Sequence, residues 1–193
     1  MKRSGIIILV IIGALILWGI SAQRGLVSQD ENVKKSWNNV QAEYQKRSDL
    51  VGQLVNTVKG VANFEQKTLT DVINARSKAT SVNINADNLT PEKVAEFQKA
   101  QEELKGSLSR LLVVAEQYPQ LKATENFTKL QGQLEGIEND VKTSRNGFNE
   151  AINTYNVKVR SFPGNLIAGI LGFKAKEGFK ADAGTEKAPE VKF

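Results

Sequence analysis

The chain has no cysteine and no histidine in 193 residues. Without cysteine there is no disulfide framework, thiol nucleophile, lipid-modified cysteine anchor or thiolate metal site. Without histidine the commonest general base and the commonest transition-metal ligand are gone. Proline is also scarce, at four residues, and aromatics make up 7% of the chain. Leu, Val, Ala, Gln, Glu, Lys and Asn fill the rest, which is the composition of a helical protein. A strong charge of one sign is missing too. The net charge of +5 is mild, and Lys99 to Lys105 interleaves bases with acids as a solvated helix face does, so no nucleic-acid partner is expected.

One long apolar run is present. After Met1-Lys2-Arg3, residues Gly5 to Ala22 are nearly all apolar. Eighteen helical residues rise about 27 Å, enough to cross a hydrocarbon core. A cleaved secretory signal is the competing reading. Ile20 is a poor residue three positions before Ala22, which argues against cleavage there. Cleavage after Ser21 would place Gly19 three positions before it and stays open. Residues 1–4 then form a basic flank and 5–22 a transmembrane helix whose partner is the lipid bilayer. Lys2, Arg3 and the amino terminus lie on one side and Arg24, Lys34 and Lys35 on the other; the immediate flank favours a cytoplasmic amino terminus and so a body outside the inner membrane. Trp18 falls near the outer end of the span and suits an interfacial anchor.

Beyond the span the hydrophobic period is helical. Val33, Trp37, Val40, Tyr44, Arg47, Val51, Leu54, Val58, Val61, Glu65, Thr68, Val72 and Ala75 step by four and three, the 3.5-residue period of a helix packing on helices. The spacing predicts one helix to about Thr80, starting within Gly25 to Asp30 or running straight out of the span. Trp37 and Tyr44 sit at core positions. Ser81 to Asn88 reads as a loop. Thr90-Pro91-Glu92 opens a second helix as N-cap, first-turn proline and first-turn acid. Its apolar face is Phe97, Leu104, Leu108, Leu111 and Ala115, and Pro119 ends it. Thr124-Glu125 caps a third helix with Phe127, Leu130, Leu134, Ile137, Val141, Ser144, Phe148, Ile152, Tyr155, Val159 and Phe162 on its seam, stopped by Pro163-Gly164. Asn165 to Phe173 is a short apolar helix. From Lys174 a Lys-, Ala- and Glu-rich tail without periodicity is expected to be mobile, and Pro189 to Phe193 alternates apolar and charged residues. The fold class is all-α: a transmembrane helix, then an antiparallel bundle of three long helices plus a short C-terminal helix.

The motifs along these helices resemble one family. Arg47-Ser48-Asp49-Leu50-Val51-Gly52-Gln53-Leu54-Val55, Val58-Lys59-Gly60 with Glu65, and Ala75-Arg76 carry the first part. Glu116-Gln117-Tyr118-Pro119-Gln120-Leu121-Lys122-Ala123 follows, then Phe127 and Leu130-Gln131. Glu138, Arg145, Phe148-Asn149, Tyr155-Asn156, Phe162-Pro163 and Gly172-Phe173 complete the order. Together they resemble the LemA family from about residue 25 to 173. The resemblance implies a bacterial single-pass membrane protein with a helical-bundle domain and no settled biochemical activity. Three residues depart from the pattern: Gly52 where proline is usual, Val61 for a common tyrosine, and Phe64 for a common histidine.

The polar residues allow two readings. Glu138, Lys142, Arg145, Asn149 and Asn156 share a stripe beside the seam of the third helix, and Arg47 and Glu65 would face it. With the family-motif residues Arg76 and Glu116, the candidate set is Arg47, Glu65, Arg76, Glu116, Glu138, Arg145, Asn149 and Asn156. It is read as a buried polar network that fixes register, or as a groove for an extended peptide or another transmembrane partner. Catalysis is not expected. Serines lack a histidine base, the Glu-x-x-His of carboxylate-bridged metal bundles is impossible, and no glycine-rich phosphate loop follows a strand. No cofactor or metal is implied. The expected function is a membrane-anchored interaction or scaffold module at the bacterial inner membrane, the bundle outside the cytoplasm and the protein partner unidentified. The alternative is a self-associating structural or sensory envelope protein.

Overall fold

A computed structural model describes residues 3–62 and 64–180. The first helix, α1, is continuous from Arg3 to Lys59, 57 residues long. None of its apolar amino-terminal window is buried, and the first residue of α1 to enter the core is Leu26. The helix therefore changes surroundings without changing backbone. Helix α2 spans Gln66–Ser81, α3 Pro91–Ala115, the single turn α4 Pro119–Lys122, α5 Glu125–Arg160 and α6 Gly164–Leu171. Among the described residues all regular structure is helical.

The predicted helix through Ala79 is two helices. Lys59-Gly60 ends α1, and the chain resumes helix at Gln66. A basic last turn followed by glycine is a stop signal, and glycine inside a helix costs about 1 kcal/mol relative to alanine. Phe64 explains why the break holds: it is buried and packs on the Tyr118 ring with centroids 4.8 Å apart. The seam loses its phase there, so Val61 is only partly buried and Glu65 is exposed.

Helix α1 packs along α5, and α2 packs on α3. Arg47 of α1 pairs with Glu138 of α5, and Gly25 lies beside Lys158, so low numbers on α1 meet high numbers on α5. Two apolar clusters fill the body. The outer one runs from Val51 to Ile137 through Leu54, Leu104, Leu111 and Leu130. The inner one, nearer the apolar segment, centres on Trp37, Tyr44, Phe97, Phe148 and Tyr155. Trp37 is fully buried between Phe97 and Phe148, at 5.3 and 5.2 Å, and its indole N–H donates to the Ile84 carbonyl at 3.1 Å. That bond pins the loop between α2 and α3. Thr90 caps α3, its hydroxyl accepting from the Lys93 amide at 3.4 Å, with Pro91 in the first turn.

Residues 174–180 differ from expectation. They lie along α5, bonded to Asn156 and Asn149, and Phe179 is buried. The rest of that tail, 181–193, including the alternating stretch from Pro189, lies outside the described residues.

Candidate functional site

The polar candidates fall into two groups at different heights on α5. The first is a layer between the two apolar clusters. Arg47 is 2% exposed. Its guanidinium donates to Glu138 Oε1 at 3.0 Å, to the Gln101 carbonyl at 3.0 Å and to Gln101 Oε1 at 2.7 Å. It also lies 4.9 Å from the centre of the Tyr44 ring. Gln101 in turn donates to the Ala79 carbonyl at 3.3 Å, and Lys105 approaches the other oxygen of Glu138 at 3.8 Å. Four helices are tied to one cation. A buried charge survives only when partnered in this way, and the arrangement fixes register. Gln101 was not among the sequence candidates. It falls four residues after Phe97 and three before Leu104, the same kind of polar seam position that marked Arg47.

Arg76 belongs to the edge of this layer, donating to the Ser48 carbonyl at 2.7 Å. Its guanidinium occupies the space over Gly52, where a Cβ would come within 3.1 Å of it. The glycine at that position therefore makes room for the arginine. Glu65 and Glu116 are not brought to either group. Glu65 is exposed at the start of α2, because the break at Gly60 ends the seam on which it was counted. Glu116 is exposed and forms an ion pair with Lys122 across the α3–α4 turn.

The second group is a clamp on α5 for an extended chain. Asn156 accepts from the Lys176 amide at 2.9 Å and donates to the Lys176 carbonyl at 2.8 Å. Asn149, two turns earlier, does the same to Phe179, accepting at 2.9 Å and donating at 3.2 Å. Each carboxamide thus imitates a neighbouring strand, bonding both backbone groups of one residue. Seven residues keep the two amides on one helix face. Tyr155 donates to the Lys174 carbonyl at 2.9 Å. Burial, with some help from Asp30, pushes its hydroxyl above the ordinary tyrosine range, so it stays a donor.

Side chains read this segment at three points. Phe179 stacks on Trp37 at 5.9 Å and meets Phe148 edge-on at 5.6 Å. The Arg145 guanidinium lies 4.8 Å over the Phe179 ring. Lys176 binds Asp30 at 2.6 Å. Gly178 permits a close approach: a Cβ there would fall 2.2 Å from Asn149 Oδ1, which would have to swing away from the Phe179 amide it now accepts from. A cleft of about 570 Å³ lined by Lys105, Glu138, Lys142 and Arg145 continues from Phe179 toward the buried layer. The segment itself was not legible in the sequence, because a ligand held through its backbone needs no hydrophobic period. The Gly178-Phe179 pair was its one trace.

A LemA family profile matches residues 36–193, a span that holds both polar groups and begins after the apolar run. The chain belongs to the LemA family. Protein LemA of Metamycoplasma hominis is 23% identical over 174 residues, covering 87% of this chain and 76% of that relative. Magnetosome protein MamQ 2 of Paramagnetospirillum magneticum is 35% identical over 74 residues, 38% of this chain and 27% of its own length. Magnetosome protein MamQ of Magnetospirillum gryphiswaldense is 33% identical over 73 residues, with the same two coverages. The chain therefore aligns with about a quarter of the length of each of those magnetosome proteins. Among the described residues no group of three or more carboxylates gathers as a metal site would require.

Proposed function

We propose that this LemA-family chain is a non-catalytic, bilayer-anchored docking module. Residues 5–22 hold it in the inner membrane, with the body, taken as an antiparallel bundle, outside the cytoplasm. The groove on α5 grips an extended segment of a partner protein. The observation that carries the reading is the paired carboxamides of Asn149 and Asn156, which bond both backbone groups of the residues they hold. Backbone recognition of an extended chain with one buried aromatic anchor is a general mode of peptide binding. Residues 174–180 fill the groove in cis, so a partner segment competes with them. A basic residue three positions before a Gly-Phe pair's aromatic would reproduce the contacts of Lys176, Gly178 and Phe179.

The reading is tested with the full chain carrying Gly178→Val, which breaks the contact between residues 174–180 and Asn149 while leaving every groove residue unsubstituted. A fluorescent peptide of the sequence Lys174 to Lys180 is titrated in and followed by anisotropy. Binding at least ten-fold tighter than to the unaltered chain, lost again on adding Asn156→Ala, is the expected result. Equal, negligible binding by both chains would end the groove reading.

A further inference from the structure

The turn after α5 and helix α6 expose apolar side chains that the rest of the body does not cover. Phe162 is 80% exposed and Ile170 79%, and Leu166, one turn before Ile170 on the same face of α6, is exposed too. Phe162 is the last member of the α5 seam counted from the sequence, so its exposure departs from the core position predicted for it. On the other side of α6, Ala168 is buried and Ile167 packs on the inner cluster. The short helix is thus seated by one face and bare on the other. Gly172 ends it in the left-handed region at φ 78°, and the Phe173 amide bonds back to the Ala168 carbonyl at 2.9 Å.

The height of this bare face decides what covers it. A Cβ on Gly25 would lie 3.3 Å from the Lys158 ammonium, and one on Gly19 would lie 4.0 Å from Ile167 Cδ1. Between Lys158 and Ile167 the chain therefore descends alongside α1 from Gly25 to Gly19, about 9 Å along the helix axis. Gly19 is inside the apolar run, about 4–5 Å below its end at Ala22. Helices that lie in a membrane interface seat their apolar face ~5–10 Å into the headgroup boundary. Trp18, a residue type of that boundary, is on the same turn as Gly19. Arg24 and Lys158 stand just above, and Lys174 is bonded through its carbonyl to Tyr155 one turn higher. Cations there suit phosphate headgroups.

We propose that α6, with Phe162, is a second membrane contact. It lies in the interface of the leaflet from which α1 emerges, with Phe162, Leu166 and Ile170 among the acyl chains and Arg24, Lys158 and Lys174 at anionic headgroups. The proposal rests on the reading of residues 5–22 as a bilayer span. One helix crossing a bilayer leaves the attached body free to tilt; a second contact fixes it. The aromatic anchor of the α5 groove, at the level of Trp37, is then held about 22 Å above Ala22.

The absence of cysteine makes the test direct. Single substitutions Ile11→Cys, Ile170→Cys and Val113→Cys are made in the full chain, spin-labelled and placed in vesicles of phosphatidylcholine with phosphatidylglycerol. Collision with oxygen is compared with collision with a water-soluble nickel chelate. Val113 is an exposed apolar residue at the far end of α3 and reads water. The expected result is oxygen preference at positions 11 and 170, with 170 the shallower. A lipid signal at 11 with a Val113-like signal at 170 overturns the α6 contact and leaves the span intact. A water signal at 11 overturns both. Phe162→Cys repeats the reading in a chain whose α6 is unaltered.

Discussion

The two polar groups on α5 lie at neighbouring heights, yet they do opposite work. At the Arg47 layer a charge is nearly sealed from water, and its partners come from α1, α3 and α5. At the Asn149–Asn156 clamp the side chains are half-buried and neutral, and their partner is the backbone of residues 174–180. Desolvation separates them. An arginine stripped of water makes every partner obligatory, so the layer belongs to the stability of the bundle. A carboxamide at the surface exchanges its peptide for water at a net difference of about 1 kcal/mol per hydrogen bond. The clamp therefore opens at lower cost than the layer, the main cost being the uncovering of Phe179. A polar stripe on a helix is one feature in sequence and two in energy.

The largest effect is expected where the layer is broken from its exposed side. Glu138→Ala leaves a buried guanidinium without its carboxylate, a lesion of roughly 3–5 kcal/mol when the pair is fully buried. Glu138 is 34% exposed, so a loss near the lower end, about 3 kcal/mol, is expected in denaturant unfolding of the full chain in detergent. Arg47→Met removes the charge and leaves Gln101 Oε1 without the guanidinium donor, and a smaller loss of about 2 kcal/mol is expected. Combining the two substitutions should cost less than their sum. Strict additivity would mean that the pair is not coupled.

At the clamp, Asn156→Ala removes two hydrogen bonds to Lys176 and should lower global stability by no more than about 2 kcal/mol, about 1 for each bond. It should also free residues 174–180, read as sharp, motionally averaged resonances for that segment. A global loss as large as that of Glu138→Ala would erase the distinction between the two sites.

The smallest effect is at the exposed bridge from Lys34 to Asp87, 2.7 Å long, which ties α1 to the loop holding Ile84. The hydrogen bond from Lys34 holds the Asp87 carboxyl below its ordinary range. A depressed carboxylate adds stability above its unfolded pKa and gives it up as pH falls through the lower folded value. Between neutrality and pH about 4 the Trp37 near-ultraviolet signal should be flat. Any loosening of the loop should come below that. Asp87→Asn should remove this acid-side step.

The sequence showed the fold class and half of the site for a physical reason. Arg47 stood out because a charge at a heptad position breaks the rule that makes heptads visible, and Glu138 was legible as the nearest acid beside the opposing seam. Glu65 was counted on the same seam because steps of three and four continue across Gly60 even though the backbone does not. The turn at Gly60–Glu65 resets the phase, and only the Lys59-Gly60 stop signal and the off-seam Phe64 record it. The asparagines were legible as a stripe, but their ligand was not. Lys174 to Lys180 is composed like a solvated tail, and its order comes from groups that every residue carries.

Native-state hydrogen exchange on the full chain tests the contrast most directly. The Lys176 and Phe179 amides, both donated to asparagine side chains, should exchange through a local opening that is insensitive to mild denaturant. Amides of α3 around Gln101 should exchange only with global unfolding and follow its denaturant dependence. If the amides at 176 and 179 show the same opening free energy and denaturant slope as those around Gln101, the clamp is part of the core, and its reading as a replaceable peptide site is wrong.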